Sequence, residues 1–406
     1  MATSTPNPAL QPLGRHEDRF WTRDTSTPIE HRAAGAYRVF IPDPIVGRDF
    51  GLGGTAVKAL VEATGALASL QAARPELTSL AALALNLLRS ESAASSSIEG
   101  IQISQRRLAR AAYARTRGRG GDNRAAEVLG NIEAMQRAIE IGSNPRALNL
   151  EDVLDIHTTL LRFTEDREIA GTLRTRQNWI GGNDWHPIGA TYVPPPPELV
   201  EGLLADLCTF ANRSDVAPVA QAAIVHAQFE NIHPFADGNG RVGRALIYAV
   251  LRHRGEVPNY LPPISLALAA QPKSYVTGLG AYSTGRVSSW CERFAQATTR
   301  AALEAQAVAS AIDACQAAWI ELLGRPRADA AVRQIIAALP GAPIIDVPAG
   351  QQLTGKSHVA VGNAIEQLER AGILHRLSER KWGRVWECAE LLQLVDEVER
   401  RIATPS

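Results

Sequence analysis

Near the middle of the chain, two helical stretches are broken by His233-Pro-Phe-Ala-Asp237-Gly238-Asn239-Gly240-Arg241-Val-Gly243-Arg244, and no other segment restricts the fold as much. Apolar residues recur at helical spacing over about 217–230 and again over 240–254, so the loop Ile232–Gly240 must join two helices. Gly238 and Gly240 let the backbone turn sharply and let a ligand approach with no Cβ in the way. A helix beginning near Asn239 would aim its first N–H groups and the positive end of its dipole at anionic oxygens. Asp237 offers the hard oxygen that Mg²⁺ takes when it bridges phosphates. Arg241 and Arg244 stand one turn apart on a helix face, placed to clamp β- and γ-phosphates. His233 has an intrinsic pKa suited to taking a proton from an incoming hydroxyl near neutrality. Together these residues suit a nucleoside triphosphate. A metal-hydrolase reading of His226, Glu230, His233 and Asp237 leaves the glycines and both arginines unexplained.

The rest of the chain reads as mainly helical. Of its 406 residues 45% are hydrophobic and 5% aromatic, with Ala, Leu and Arg plentiful, side chains that lose little freedom in a helix. This length implies two or three domains. Lys plus Arg and Asp plus Glu number 42 each, so no net field draws the chain to nucleic acid or membrane. Cys208, Cys291, Cys315 and Cys388 are too scattered for a disulfide framework or a zinc knuckle and read as buried thiols of a reducing compartment. With no apolar leader and no run long enough to span a bilayer, a cytoplasmic protein is expected.

Residues 1–50 read as an extended arm packed on the next domain. Two helices, broken near Ala73-Arg-Pro75, run from Thr55 to about Arg89; then come a Ser-rich stretch to Gly100, a basic helix Gln102–Arg115 and an exposed loop Thr116–Asp122. Helices over about 123–142 and 150–163 lead into Gly171–His186, whose β-branched and aromatic residues around Gly181-Gly-Asn-Asp184 predict a β-hairpin. Pro194–Pro197 reads as a stiff connector. Helices resume over 198–212, 272–282 and about 289–321, and Gly324–Arg327 reads as a linker. Beyond it, a helix Ala328–Leu339, the turn Leu353–Ser357, a helix Val359–Gly372 and a ribbon Ile373–Cys388 tipped by Ser378–Gly383 make the helix–turn–helix plus wing pattern.

The central segment matches the Fic-family motif HPFxDGNGRxxR at every fixed position, and His226-Ala-Gln-Phe-Glu230-Asn-Ile also looks like the helix that precedes it in that family. The resemblance implies a mainly α fold: a Fic helical core with a β-hairpin flap, plus a C-terminal winged-helix-like domain. It divides the chain into an N-terminal arm and inhibitory helical region (1–120), a catalytic core (121–323) and a winged-helix-like module (328–406). It further implies transfer of AMP from ATP to a Ser, Thr or Tyr hydroxyl of a target protein. His233 would be the base and Asp237 the Mg²⁺ ligand. Gly238, Asn239, Gly240 and Gly243 would belong to the phosphate turn, Arg241 would orient the leaving pyrophosphate and Arg244 would meet the γ-phosphate. The intact Gly-Asn-Gly-Arg turn and the final Arg favour AMP over phosphate as the group transferred. Gln177-Asn-Trp-Ile180-Gly181 resembles the family's flap, with Ile180 and Gly181 over the nucleotide, and Tyr275 stands where the family places an adenine contact.

Ser95-Ser-Ser-Ile-Glu99-Gly100 fits the family's inhibitory pattern, (Ser/Thr)-x-x-x-Glu-(Gly/Asn). In that reading Glu99 pairs with Arg244, a directional carboxylate–guanidinium contact that competes with the γ-phosphate, and Ser95 braces the glutamate. The same glutamate could position water for removal of AMP, and a DNA-binding regulator with a nucleotide-sensing core is a further alternative. Arg376, Arg380, Lys381 and Arg384 are the only basic concentration of the C-terminal module, so protein docking or homodimer formation is favoured there over DNA.

Overall fold

The computed structural model describes residues 11–23, 28–73, 76–118, 122–377 and 383–403. The expected N-terminal arm is a paired ribbon, β1 (Gly14–Trp21) antiparallel to β2 (Gly35–Pro42), with Gly14 opposite Pro42 and Trp21 opposite Gly35. Five helices come next: α1 (Gly54–Ala72), α2 (Leu80–Ile98), α3 (Gln105–Thr116), α4 (Asn123–Ser143) and α5 (Leu150–Leu161). After the flap region come α6 (Pro197–Ala211), α7 (Pro218–Ile232), α8 (Asn239–His253), α9 (Ile264–Ala269), α10 (Pro272–Ser283) and α11 (Val287–Leu322). The last stretch runs α12 (Ala331–Ala338), β3 (Ile344–Ile345), α13 (Val347–Thr354), α14 (His358–Arg370), β4 (His375–Arg376), β5 (Trp386–Glu387) and α15 (Ala389–Ala403). The chain is mostly helical, as its composition predicts.

The fold divides into two compact units, and neither is a single stretch of chain. The described residues of Met1–Val61, Arg137–Arg254 and Lys273–Gln296 form one; those of Glu62–Gln136, Gly255–Pro272 and Ala297–Ser406 form the other. The expected blocks 1–120, 121–323 and 328–406 therefore track the order of motifs and differ from the compact units.

In the first unit α7 and α8 are almost wholly buried, around Phe229, Phe235, Tyr248, Trp290 and Phe294. Trp290 Nε1–H donates to Ala223 O at 2.7 Å, so its indole is both packed and satisfied. Gly142 lets α4 approach α8: a Cβ there would stand 2.4 Å from Ala249 O. The Pro194–Pro197 run ends by starting α6, since a proline at the first turn gives up no helical hydrogen bond. The β-ribbon packs beside the flap through Val39, Ile41 and Val193, and Phe40 N–H donates to Val193 O at 2.8 Å.

In the second unit the Ser-rich stretch is helical, a continuation of α2 through Ile98. Its serines serve packing: Ser92, Ser95 and Ser96 are fully buried, and Asn131 of α4 donates to Ser92 O at 2.9 Å and to Ser96 Oγ at 3.1 Å. Small side chains permit that approach where leucines would hold the helices apart. The C-terminal elements build a short sheet in the order β3-β5-β4, all antiparallel, with α12, α13 and α14 packed on one another beside it. Asp346 caps α13 through Ala349 N–H and accepts from Tyr113 OH at 2.7 Å, which joins α3 to this module. The sequence pattern does not predict α9, α13 or α15; residues 119–121 of the Thr116–Asp122 loop and 378–382 of the Ser378–Gly383 tip lie outside the described residues. Among the described residues no helix is long and apolar enough to cross a membrane.

Candidate active site

The loop between α7 and α8 is set by backbone conformations at its two ends. His233, the C-terminal cap of α7, is left-handed at φ 49, ψ 60, and donates its N–H to Phe229 O at 2.9 Å. Among the described residues only Arg325 is another non-glycine with positive φ. Gly238 is also left-handed, at φ 78, and caps α8, which begins at Asn239 as the sequence predicts. As a glycine, Gly238 brings no side chain of its own to cap this helix start, the kind of end at which backbone N–H groups can take an anion. Asn239 closes the loop internally: its Oδ1 accepts from Phe235 N–H and its Nδ2 donates to Phe235 O, both at 2.8 Å. Its side chain is thus a brace for the turn expected to bind phosphate.

The charged side chains stand close by. Asp237 Oδ2 lies 2.7 Å from Arg241 Nη2, with the arginine 4% exposed and the aspartate 53%. Arg244 is 1% exposed. Glu230 Oε2 is 4.0 Å from His233 Nδ1, and Glu230 Oε1 is 3.9 Å from His226 Nδ1. Gly243, expected with the phosphate turn, has a packing reason instead: a Cβ there would meet Glu230 Oε1 at 2.6 Å and Phe229 Cδ1 at 3.0 Å.

Two buried imidazoles support the loop as neutral groups. Burial first, then the charge of Arg244, pushes His226 down to about 3. Burial holds His157 down to about 4 despite the Asp237 carbonyl, which favours its charged form. Gly171 N–H donates to His157 Nδ1 at 3.0 Å, so Nε2 carries the proton and donates to Asp237 O at 3.2 Å. The His157 ring also stacks on Phe235, centroids 3.7 Å apart.

The expected hairpin is a wide excursion closed by one bridge. Ile180 N–H donates to Tyr192 O at 2.8 Å and Tyr192 N–H donates back to Ile180 O at 3.1 Å, while the intervening residues form no ladder. Gly181 and Gly182 take φ 75 and 79, which accounts for the glycine pair. Ile180 is 45% exposed. Asn178 and Arg174, just before it, bond to the backbone of the loop, so the flap and His233–Arg244 meet. Tyr275, expected against adenine, is instead a core residue, 7% exposed, with its hydroxyl 2.8 Å from His226 Nε2. Ser95 and Glu99 belong to the second unit; Ser95 is fully buried, and Glu99 is the exposed C-terminal cap of α2, its N–H on Ser96 O at 3.1 Å. Among the described residues no group of His, Cys, Asp and Glu forms a metal cluster. No sequence signal marks His157 or Arg174, because each acts on the loop from far along the chain; Asn178 lies within the flap resemblance, which does not point to its bond with the loop.

The site thus stands on a nearly buried two-helix core that presents a left-handed histidine and a glycine-capped helix start. Residues 147–251 match the Fic/DOC family and residues 57–140 the Fic/DOC family N-terminal region. The chain is a Fic-family protein. It is similar to the protein adenylyltransferase fic-1 of Caenorhabditis briggsae, 34% identical over 118 residues, which is 28% of this chain and 21% of that one. A probable protein adenylyltransferase of Aquifex aeolicus is 44% identical over 68 residues, 16% of this chain and 21% of that one. The protein adenylyltransferase Fic of Drosophila virilis is 31% identical over 139 residues, 34% of this chain and 27% of that one. The chain therefore spans only about a fifth to a quarter of the length of these curated relatives. In fold it is similar to a Fic family protein from Desulfovibrio desulfuricans, with a TM-score of 0.51 at 22% identity, covering 84% of this chain and 97% of that one.

Proposed function

We propose that this protein transfers AMP from ATP to a Ser, Thr or Tyr hydroxyl of a protein. The observation that carries the reading is the loop itself: His233, Asp237 and Arg241 converge on the α8 start, where backbone N–H groups attract phosphate oxygens. His233 takes the proton of the target hydroxyl, with the Glu230 carboxylate 4.0 Å from its Nδ1 to favour the charge the ring then gains. The hydroxyl oxygen then bonds to the α-phosphorus while the bond to the bridging oxygen breaks, leaving protein–AMP and pyrophosphate. Arg241 and Arg244 balance charge on the β- and γ-phosphates. The half-exposed Asp237 carboxylate fits Mg²⁺, which binds proteins through one or two carboxylates and keeps its other positions for water and phosphate. Bound there, the ion would neutralise phosphate charge.

An inhibitory role for Glu99 is supported by its motif and by its place at the end of α2. The C-terminal order α12-β3-α13-α14-β4-β5, with left-handed Gly355 between α13 and α14, supports a winged-helix module. Incubation with ATP and Mg²⁺ and then mass spectrometry should give an AMP adduct on the chain or on a protein in the mixture. His233→Ala should abolish it, by about 10²–10⁴-fold, with ATP binding retained. Full transfer by that variant would sink the mechanism.

A further inference from the structure

We propose that Arg174 and Asn178 are positioning residues for the catalytic base, holding the His233 main chain in its left-handed conformation. The inference rests on His233 being that base.

A left-handed non-glycine residue costs on the order of 1–3 kcal/mol and persists only where its surroundings over-determine it. Three donors supply that constraint. Arg174 Nε–H donates to His233 O at 2.8 Å, and Arg174 N–H donates to Pro234 O at 3.0 Å. One residue thus fixes two consecutive carbonyls at the point where α7 ends. Asn178 Nδ2 adds a bond to Phe235 O at 2.9 Å, so three carbonyls in a row are held from one side.

The chemistry of Arg174 argues for positioning over stability. It is 6% exposed, and its guanidinium bonds to main-chain carbonyls: His233, Arg176 at 3.3 Å, Pro195 and, at 3.5 Å, Ile232. Burial lowers it to about 10, so it remains a cation at neutral pH. A buried charge whose hydrogen bonds go to carbonyls, with only a more distant Glu198 of opposite sign, is a costly way to fasten loops. What it supplies is a rigid planar fork that reaches three segments at once. Arg176 begins the flap and Pro195 lies just past its end, so the base and both ends of the flap share one guanidinium.

The test compares Arg174→Met, Arg174→Lys and Asn178→Ala with the wild type, Asn178 Nδ2 also reaching His233 O at 3.4 Å. Hydrogen–deuterium exchange by mass spectrometry should show faster exchange of peptides covering 229–240 in Arg174→Met, with peptides of α5 and α6 unchanged. AMP transfer should lose kcat by about 10–10²-fold, the penalty of a misplaced group, while KM for ATP stays within about threefold. Arg174→Lys keeps the charge without the fork and should remain impaired. Asn178→Ala removes one donor at a partly exposed site, should stay folded, and should show the same changes in weaker form. Two results would overturn the inference: unchanged exchange over 229–240 in both Arg174→Met and Asn178→Ala, or kcat losses that only track the folded fraction. A wild type that forms no AMP adduct would sink the proposed function, and the exchange data would still decide whether Arg174 and Asn178 hold the His233 main chain.

Discussion

Arg241 reaches back one helical turn to Asp237, Nη2 to Oδ2 at 2.7 Å, so the carboxylate proposed for the metal is held by the arginine proposed for pyrophosphate. The buried arginine fixes the direction of the half-exposed carboxylate. Carboxylate and cation stand ready for ligands of opposite charge on the same turn, and until nucleotide binds each keeps the other from being an isolated charge.

Asp237→Asn tests that arrangement. The amide keeps an oxygen acceptor and loses the charge that draws a hard cation. AMP transfer should fall on the order of 10²-fold. A Mg²⁺ titration should also need more metal to reach half-maximal rate. Transfer at wild-type Mg²⁺ dependence would remove Asp237 from the metal site.

His226 supplies a test of stability against pH. Its folded pKa, about 3, lies below the ordinary value of about 6.5. The neutral ring therefore contributes stability that is fully present above pH about 6.5 and is lost as pH falls toward 3. His226→Gln keeps a polar partner for Tyr275 and removes the titration. Urea unfolding between pH 6 and 4 should show a slope shallower than wild type by about 1.4 kcal/mol per pH unit, one proton's worth. Equal slopes would mean that His226 is not the group taking up the proton.

Much of the site is legible in the sequence because its parts are contiguous. His233 to Arg244 lie within one loop and the first turns of one helix, and spacing alone predicts a helix from Asn239. The supports of that loop are not legible in the same way. His157 lies 80 residues from Asp237, and Arg174 lies 59 from His233. No periodicity signals such pairs. Motif position points Gly243 and Tyr275 toward the ligand, whereas helix packing and a buried His226 partner explain them. The Ser-rich end of α2 reads as a break because serine has modest helix propensity; burial against Asn131 outweighs it.

Glu387 shows why the C-terminal module is not an appendage. It is 2% exposed and takes hydrogen bonds from Arg106 and Arg110 of α3, themselves about half exposed. Burial alone would raise its carboxyl, but the two arginines outweigh burial and hold it below the usual range. Glu387→Ala should cost about 1–2 kcal/mol, since both arginines can rehydrate. A chain ended at Arg325 loses this partner and also the Ile336 carbonyl that accepts from Gln316 Nε2 at 2.6 Å. That truncation should lower the thermal midpoint well beyond the point variant. A truncated chain as stable as the whole would show that the module folds apart from α2, α3 and α11.

The last prediction concerns Glu99→Gly. Glu99 is the exposed cap of α2 at φ −86, a conformation glycine adopts without strain, and Gly100 beyond it already takes φ +82. The substitution should therefore leave the fold intact and isolate the carboxylate. If Glu99 pairs with Arg244, as the Ser95–Gly100 motif implies, its removal returns that arginine to the γ-phosphate. ATP then settles with its α-phosphorus in line for attack, and auto-adenylylation rises well above wild type. Mg²⁺ remains necessary through Asp237. Adding Arg244→Ala to Glu99→Gly should abolish the gain, because the liberated group is gone. Incorporation of label from α-³²P-ATP, with circular dichroism as a check on folding, measures all three proteins side by side. A folded Glu99→Gly variant no faster than wild type would end the inhibitory reading of Glu99, while the assignment of His233–Arg244 rests on its own loop and would stand.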